Sequence, residues 1–443
     1  MLWLYRLLFL PVFCILLPSW ILHMYRRGGY GAGFLQRLGV FPRLPDCPPD
    51  RRRLWIHGVS VGEIQMLRPL LEKLLADGRY DVVLTSTSSS GLRLARERYG
   101  QEATVLAFPI DFWPFSLRAW NRIRPALLLH GDGELWPEHI HRARSRSVPI
   151  LIANGRISAR SFLRHRRFRF LSGHLWNAVT EIYPDGPAST DRLLRLHVGR
   201  RKIFPLGNLK CDRQPFPPLT PEEREDMLRE LGFLPFGPDG RPTPLLIGCS
   251  TWPGEEEFLL NVLARLQQLD PAWRLLLAPR HGERRDELQK LLKEKKFSCH
   301  LRSHGPAEGK SIAVAVLDTV GELSQLIRVG TVAFIGKTLP PNDGGQSPLD
   351  AVAASVPAVC GPSCTNFRDM VDGLVREKAM ALAKSADEAR DLLCELAAAP
   401  ERQKSMAQAG AEWLRSNGGA AGRIYERIEF FTFGGGKWLR KCR

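Results

Sequence analysis

LWIHGVSVGE, residues 54–63, is the stretch on which the reading of the whole chain turns. Leu54, Trp55 and Ile56 make an apolar run suited to a buried parallel strand. Gly58 and Gly62 bracket a tight turn, and Glu63 opens the helical pattern IQMLRPLLEKLL. A carboxylate is thereby set where a strand passes into a helix. In open α/β sheets ligands sit in the crevice at the carboxyl ends of the strands, which would turn Glu63 toward substrate. Ser60-x-x-Glu63 also has the spacing of a capping box, in which the glutamate only returns a hydrogen bond to the N-cap backbone. Both readings stand at this point, and they are not exclusive.

Working outward, the same grammar repeats. DVVLTST (81–87), TVLAFPID (104–111), ALLLHGD (126–132) and PILIAN (149–154) follow at regular intervals with helical patterns between them. Short Val/Ile/Leu runs without polar alternation are what a parallel sheet covered on both faces requires. A proline-rich polar segment then interrupts the pattern. It restarts with PLLIGCS (244–250), WRLLLAPR (273–280), VAVLD (314–318), TVAFIG (331–336) and PAVCGP (357–362). The expected fold class is α/β, with two Rossmann-like domains facing a cleft. The expected boundaries are an amino-terminal domain over 28–212, a linker over 213–240, a carboxy-terminal domain over 241–415, and a final helix with a basic tail over 416–443.

Residues 7–25, LLFLPVFCILLPSWILHMY, form the long apolar stretch of the chain. Pro11 and Pro18 interrupt it, and it is marginal for spanning a bilayer; no small-residue cleavage site follows. A retained membrane-anchor helix over 1–27 is expected, either spanning or lying in the interface, and a helix docked on the protein is the competing reading. The arginines downstream place the globular part on the cytoplasmic side. In the tail, Trp438 with Lys437, Arg440, Lys441 and Arg443 suits a membrane surface or a frayed terminus.

The 443 residues carry 63 Lys and Arg against 46 Asp and Glu, a formal +17, which favours a phosphate-bearing partner or an anionic membrane surface. The arginines are scattered apart from small clusters at 51–53 and 164–169, and no nucleic-acid motif accompanies them, so nucleic acid is not expected. The nine cysteines are odd in number and lack a C-x-x-C pair, Cys360 and Cys364 being nearest in sequence. This argues for reduced thiols and against a disulfide scaffold or zinc site.

Polar or glycine residues punctuate each strand end. GDGELWP (131–137) offers Asp132 and Glu134, either as first-turn charges complementing a helix dipole or as a second acidic element of the cleft. GNLKCD (207–212) brings Lys210 to the end of the first domain. In the second, CSTWPGEEE places Ser250 and Thr251 at a helix start whose free N–H groups suit a phosphate, and whose glutamates also suit an ordinary cap. PRHGER (279–284) puts Arg280 at a strand end, where a guanidinium is fitted to bidentate phosphate contact. TVGEL (319–323) offers another glycine at a helix start. In NDGGQSPLD (342–350), Ser347 is the expected N-cap, Pro348 the first helical residue, and Asp350 a first-turn carboxylate able to hold ribose hydroxyls or close a cap.

In order and spacing, WIHGVSVGE, GELWP, GNLKCD, STWPGEEE, PRHGER, TVGEL and GGQSPLD resemble the 3-deoxy-D-manno-octulosonic acid (Kdo) transferases of lipid A assembly, from about Arg26 to about Ala383. The resemblance implies a GT-B fold, CMP-Kdo as donor, a lipid A precursor as acceptor, attachment at the inner membrane, and neither metal nor cofactor. By the same resemblance Glu63 matches the general base, and Glu134 and Lys210 match groups that assist the transition state. Ser250, Thr251, Pro279, Arg280, Gly321, Glu322, Leu323, Ser347, Pro348, Leu349 and Asp350 fall on CMP-contacting segments. The chain departs from the family pattern at Trp252, where histidine is usual, and at QSPLD in place of HNPLE. Asp132 likewise replaces a glutamate. These departures keep two further readings open: a GT-B transferase using another activated sugar, and a non-catalytic membrane-associated relative. Oligomeric state is not legible.

Overall fold

The computed structural model describes residues 2–26, 33–307 and 311–434. Contacts divide the chain into two compact units, residues 1–212 together with 417–443, and residues 213–416.

The first unit holds a parallel sheet of six strands: β1 (Arg52–His57), β2 (Tyr80–Ser86), β3 (Thr104–Ala107), β4 (Leu127–Gly131), β5 (Ile150–Gly155) and β6 (Glu181–Pro184), in the spatial order β3-β2-β1-β4-β5-β6. The order reverses between β1 and β4, which is where doubly wound folds open their ligand crevice. Strand β1 alternates its side chains between two cores, as a strand buried on both faces must. Leu54 and Ile56 join Leu67, Leu70 and Leu71 of the helix Val61–Asp77, while Trp55 packs with Trp120 and Ile123 on the opposite face. Full burial of each such side chain contributes roughly 1.5–3 kcal/mol.

The first core is completed from the far end of the chain. The helix Ala420–Glu429 returns to the first unit and lays Ile424 and Ile428 against the same cluster. Its unpaired N-terminal amides are met by Asp212, which accepts from Ala420 N at 3.0 Å and Ala421 N at 2.5 Å. The basic tail expected after it lies outside the described residues.

The second unit holds seven parallel strands: β7 (Leu245–Thr251), β8 (Arg274–Pro279), β9 (Cys299–Leu301), β10 (Val314–Val316), β11 (Val332–Ile335), β12 (Ala358–Cys360) and β13 (Ala381–Leu382), ordered β13-β12-β11-β7-β8-β10-β9. Here the switch point falls between β7 and β11. Residues 213–240, expected as a linker, are folded into this unit instead. They contain the helix Pro221–Glu230 with a complete Thr220–Glu223 capping box, and bury Leu228, Leu231 and Phe233.

The apolar stretch near the amino terminus is one helix, Leu2–Arg26. Among the described residues no helix is long and apolar enough to cross a membrane. Its first turns are docked on the first unit: the Tyr5 hydroxyl lies 2.9 Å from Asp111 Oδ2, Arg6 pairs with Glu138, and Phe9 stacks on Phe112 at 4.5 Å. Other apolar side chains, among them Leu4, Leu7, Val12 and Ile15, are exposed.

Candidate active site

Glu63 stands in the first turn of the helix that follows β1, on one side of the switch point. The capping box that its spacing predicts forms only in altered form. Ser60 is the N-cap residue, yet its hydroxyl caps no backbone amide and donates instead to Glu63 Oε1 at 3.1 Å. Glu63 Oε2 accepts from the N–H of Val59, one residue before the cap, at 2.8 Å. These two bonds favour the ionised form. Burial disfavours it more strongly, and the nearby charges of Asp132 and Glu134 act in the same direction, so the Glu63 carboxyl is pushed up to about 7.

The turn after β4 forms the other side. Asp132 takes a left-handed conformation, φ +80°, held by its own N–H to Ala153 O at 2.9 Å and by its Oδ1, which accepts from Gly133 N at 2.6 Å. Gly133 is required: a Cβ there would lie 2.3 Å from the carbonyl oxygen of Arg156. Gly131 likewise lets the helix after β1 approach, since its Cβ would meet Leu67 at 2.9 Å. The turn delivers Glu134, whose Oε2 is buried with no hydrogen-bond partner among the described residues. Burial first, then the charge of Asp132, raise this carboxyl to about 7 as well.

Lys210 arrives from a short 3-10 turn, Leu209–Cys211, fixed by Asn208 Oδ1 accepting from Lys210 N at 2.9 Å and by Asn154 Oδ1 accepting from Leu209 N at 3.0 Å. Burial and the neighbouring Arg156 lower its pKa, while Asp132, Asp185 and Glu63 hold it up. Lys210 therefore shares one electrostatic environment with the acids at the ends of β1, β4 and β6. The site combines two carboxyls raised toward neutrality with a buried lysine that interacts electrostatically with Glu63. That combination can accept a proton from a hydroxyl and stabilise charge elsewhere on the same reacting group.

In the second unit the helix starts are closed differently. Glu255 is almost wholly buried and accepts four backbone N–H bonds, from Trp252 (2.9 Å), Lys337 (2.7 Å), Thr338 (2.8 Å) and Leu339 (3.1 Å), stapling the turn after β11 to the turn after β7. The Thr251 hydroxyl is taken by Glu256 at 2.9 Å, and Glu256 in turn pairs with Arg284 at 2.8 Å. Ser250 has φ +55° and lies where the β7–β8 register shifts, and the next residue, Thr251, pairs with Pro279 at the end of β8. Gly321 is exposed at φ +96°, beside half-buried Leu323, and Glu322 is engaged by Arg302 at 3.1 Å and by the Thr319 hydroxyl. Pro348, expected as the first helical residue, is the N-cap of Leu349–Ala353, with Ser347 before it. Pro348 and Leu349 are buried, and Asp350 pairs with Arg213. Arg280 differs from all of these. It is exposed, and among the described residues nothing engages its guanidinium. Trp252 lies under Lys337 Nζ, 4.3 Å from the ring centroid, and edge-on to His281, with its indole N–H buried and without a partner among the described residues.

Sequence reasoning missed Arg156 and Asp185. Their signal was present: Asn-Gly-Arg and Pro-Asp-Gly close β5 and β6, the same punctuation that marked Glu134. It also missed His130, at the end of β4, buried with neither ring nitrogen bonded among the described residues and its pKa lowered to about 4 by that burial.

Comparison with known structures and sequences fits this architecture. A glycosyltransferase from Rickettsia africae superposes with a TM-score of 0.59 at 11% identity, covering 87% of this chain and 99% of the other. A UDP-GlcNAc 2-epimerase from Neisseria meningitidis does so at 0.57 and 12%, covering 85% and 99%. At such identities the likeness shows the fold alone: two parallel-sheet α/β domains of the GT-B type. Sequence narrows the class. The family model described as 3-deoxy-D-manno-octulosonic-acid transferase matches residues 32–213. The 3-deoxy-D-manno-octulosonic acid transferase of Haemophilus influenzae is 30% identical over 404 residues, 90% of this chain and 91% of that one. The Bordetella pertussis enzyme of the same name is 29% identical over 436 residues, 93% and 95%. The chain belongs to the Kdo transferase family, and it is a glycosyltransferase that moves Kdo in lipopolysaccharide biosynthesis.

Proposed function

We propose that this enzyme transfers Kdo from CMP-Kdo to a hydroxyl of a lipid A precursor, lipid IVA, by an inverting displacement without metal or cofactor, with Glu63 as general base. The observation that carries the reading is the state of Glu63, a carboxyl at the switch point pushed up to about 7 by burial and by its acidic neighbours. A base is most effective when its pKa lies near the working pH. Ionised Glu63 takes the proton from the acceptor hydroxyl as that oxygen bonds to the anomeric carbon. The bond from that carbon to the phosphate oxygen breaks, and CMP leaves with the electron pair. Lys210 stabilises the negative charge of the sugar carboxylate or of the departing phosphate, and Glu134 assists the transition state. Arg280, exposed and unpartnered among the described residues, is assigned to the phosphate of the donor.

The acceptor is a phosphorylated glycolipid, and the first unit offers two features for a lipid surface. One is the helix Leu2–Arg26, with Trp3, Leu4, Leu7 and Leu8 exposed. The other is the helix Ala159–Arg167, with Arg164, Arg166 and Arg167 in its last turn and exposed Leu163 and Phe168 beside them. Docking through Tyr5, Arg6 and Phe9 suits the first helix to lying in the interface at the cytoplasmic face of the inner membrane. Salt should then weaken vesicle binding, whereas a spanning helix would resist salt extraction.

The deciding experiment incubates purified protein with radiolabelled CMP-Kdo and lipid IVA and follows label into lipid. Transfer from CMP-Kdo, with CMP but not UDP or ADP competing, is the expected result. Binding of UDP or ADP in preference to CMP would establish the other-sugar reading that Trp252 raises, and failure with every donor by a folded protein would establish the non-catalytic one.

A further inference from the structure

The helix Pro137–Ser145 begins two residues after the residue that follows Glu134, and it cannot cap itself. Its N-cap is Trp136, which has no side-chain oxygen, and Pro137 has no N–H. The free amides are those of Glu138 and His139, and both are satisfied from another loop. Asp111 Oδ2 accepts from Glu138 N at 3.2 Å, and Asp111 Oδ1 accepts from His139 N at 3.0 Å. Asp111 is 3% exposed, and Glu138, also buried, lies in the first turn of the same helix. Two acidic side chains thus occupy one dry corner, an arrangement that costs heavily unless each is paired.

Both partners come from the amino-terminal helix. The Tyr5 hydroxyl is 2.9 Å from Asp111 Oδ2 and 2.8 Å from the Asp111 carbonyl oxygen, its proton shared between them. Arg6 meets Glu138 through two nitrogens, with Nη2 3.0 Å from Oε2; Arg142, 3.8 Å away, is the more distant cation. A helix kept only for its apolar surface needs neither contact.

We propose that Tyr5 and Arg6 are positioning residues for Glu134: acting through Asp111 and Glu138, they hold the start of Pro137–Ser145 and so fix the turn that carries the Glu134 carboxyl. The membrane-facing helix then has a second task, as a strut for the transfer site. This rests on the reading that Glu134 assists transfer.

The test uses the full chain with a water-soluble acceptor, the lipid A disaccharide bisphosphate stripped of acyl chains, so that recruitment to a membrane is not limiting. Tyr5→Phe and Arg6→Gln should each lower kcat about ten- to a hundredfold with the KM for CMP-Kdo unchanged. Arg6→Lys should recover part of the loss. Hydrogen exchange should accelerate at the amides of Glu138 and His139 and stay unchanged through β1, β2 and β4. Wild-type kcat on the soluble acceptor, with loss confined to vesicles, would make the helix a tether and overturn the proposal. Faster exchange throughout the first unit would overturn it too, by making the contacts generally structural. Glu134→Gln separates the two levels: near-normal turnover by that variant removes the role assumed for Glu134. A crippled Glu134→Gln beside fully active Tyr5→Phe and Arg6→Gln removes this inference alone.

Discussion

Acids set by the same sequence grammar at helix starts of the two units differ in how fully they are bonded. In the first, Glu63 holds two hydrogen bonds against burial and two acidic neighbours, and one oxygen of Glu134 has no partner among the described residues. In the second, Glu255 accepts four backbone amides, Glu256 is held by Arg284 and Thr251, Glu322 by Arg302, and Asp350 by Arg213. A carboxylate whose bonding capacity is filled is scaffold. One left short of partners in a dry site keeps a proton affinity that chemistry can use.

The comparison is broken or sharpened by four measurements. The largest effect is expected for Glu63→Gln, which should lower turnover by ~10²- to 10⁴-fold while circular dichroism and CMP binding stay as in the wild type. Near-normal transfer would reduce Glu63 to a cap. Next, Glu255→Ala should leave buried amides unpaired and destabilise the second unit by about 3 kcal/mol or more, read as a lowered unfolding midpoint. A loss of activity with unchanged stability would move Glu255 to the other class. Third, Arg280→Gln should raise the KM for the donor about tenfold with little change in kcat, which steady-state kinetics would show.

The smallest effect is in the pH dependence. A base acts only when ionised, so with Glu63 in that proposed role kcat/KM should fall about tenfold per pH unit as pH drops below about 7. For stability the sign reverses. A carboxyl raised above its unfolded value favours folding most below that unfolded value, and the contribution is lost as pH rises through about 7. Glu63→Gln should therefore stabilise the fold at pH 8, by on the order of 2 kcal/mol, and hardly at all at pH 4. A variant equally stabilised at both would show that the carboxyl is not held near neutrality.

What the sequence made legible follows from how strongly each signal is tied to burial. The central strands of both sheets announce themselves as apolar runs, because both faces are covered. The strands that escaped notice, β6, β9 and β13, are sheet edges. They are short, and EIYP and CHL carry Glu181 and His300 within them, so no run forms. The switch-point carboxylates were readable from glycine-flanked turns. Their raised pKa was not, since it arises from burial and from charges brought together at the ends of β1 and β4. The capping box at Ser60 shows the same limit: its spacing was right, and its hydrogen bonds were decided by where Val59 lies. Tyr5 and Arg6 carried no signal of their own, because their partners Asp111 and Glu138 are more than a hundred residues away in sequence.

The return of the helix Ala420–Glu429 to the first unit has a consequence for biogenesis. On a ribosome, residues 1–212 emerge long before Ile424 and Ile428, so the domain made first is the one finished last. Until that helix is made, the part of the core it packs against stays open, and a stop before residue 420 leaves it open for good. Quality control needs no reading of the active site to recognise such a product; an unclosed greasy seam on the first unit is signal enough.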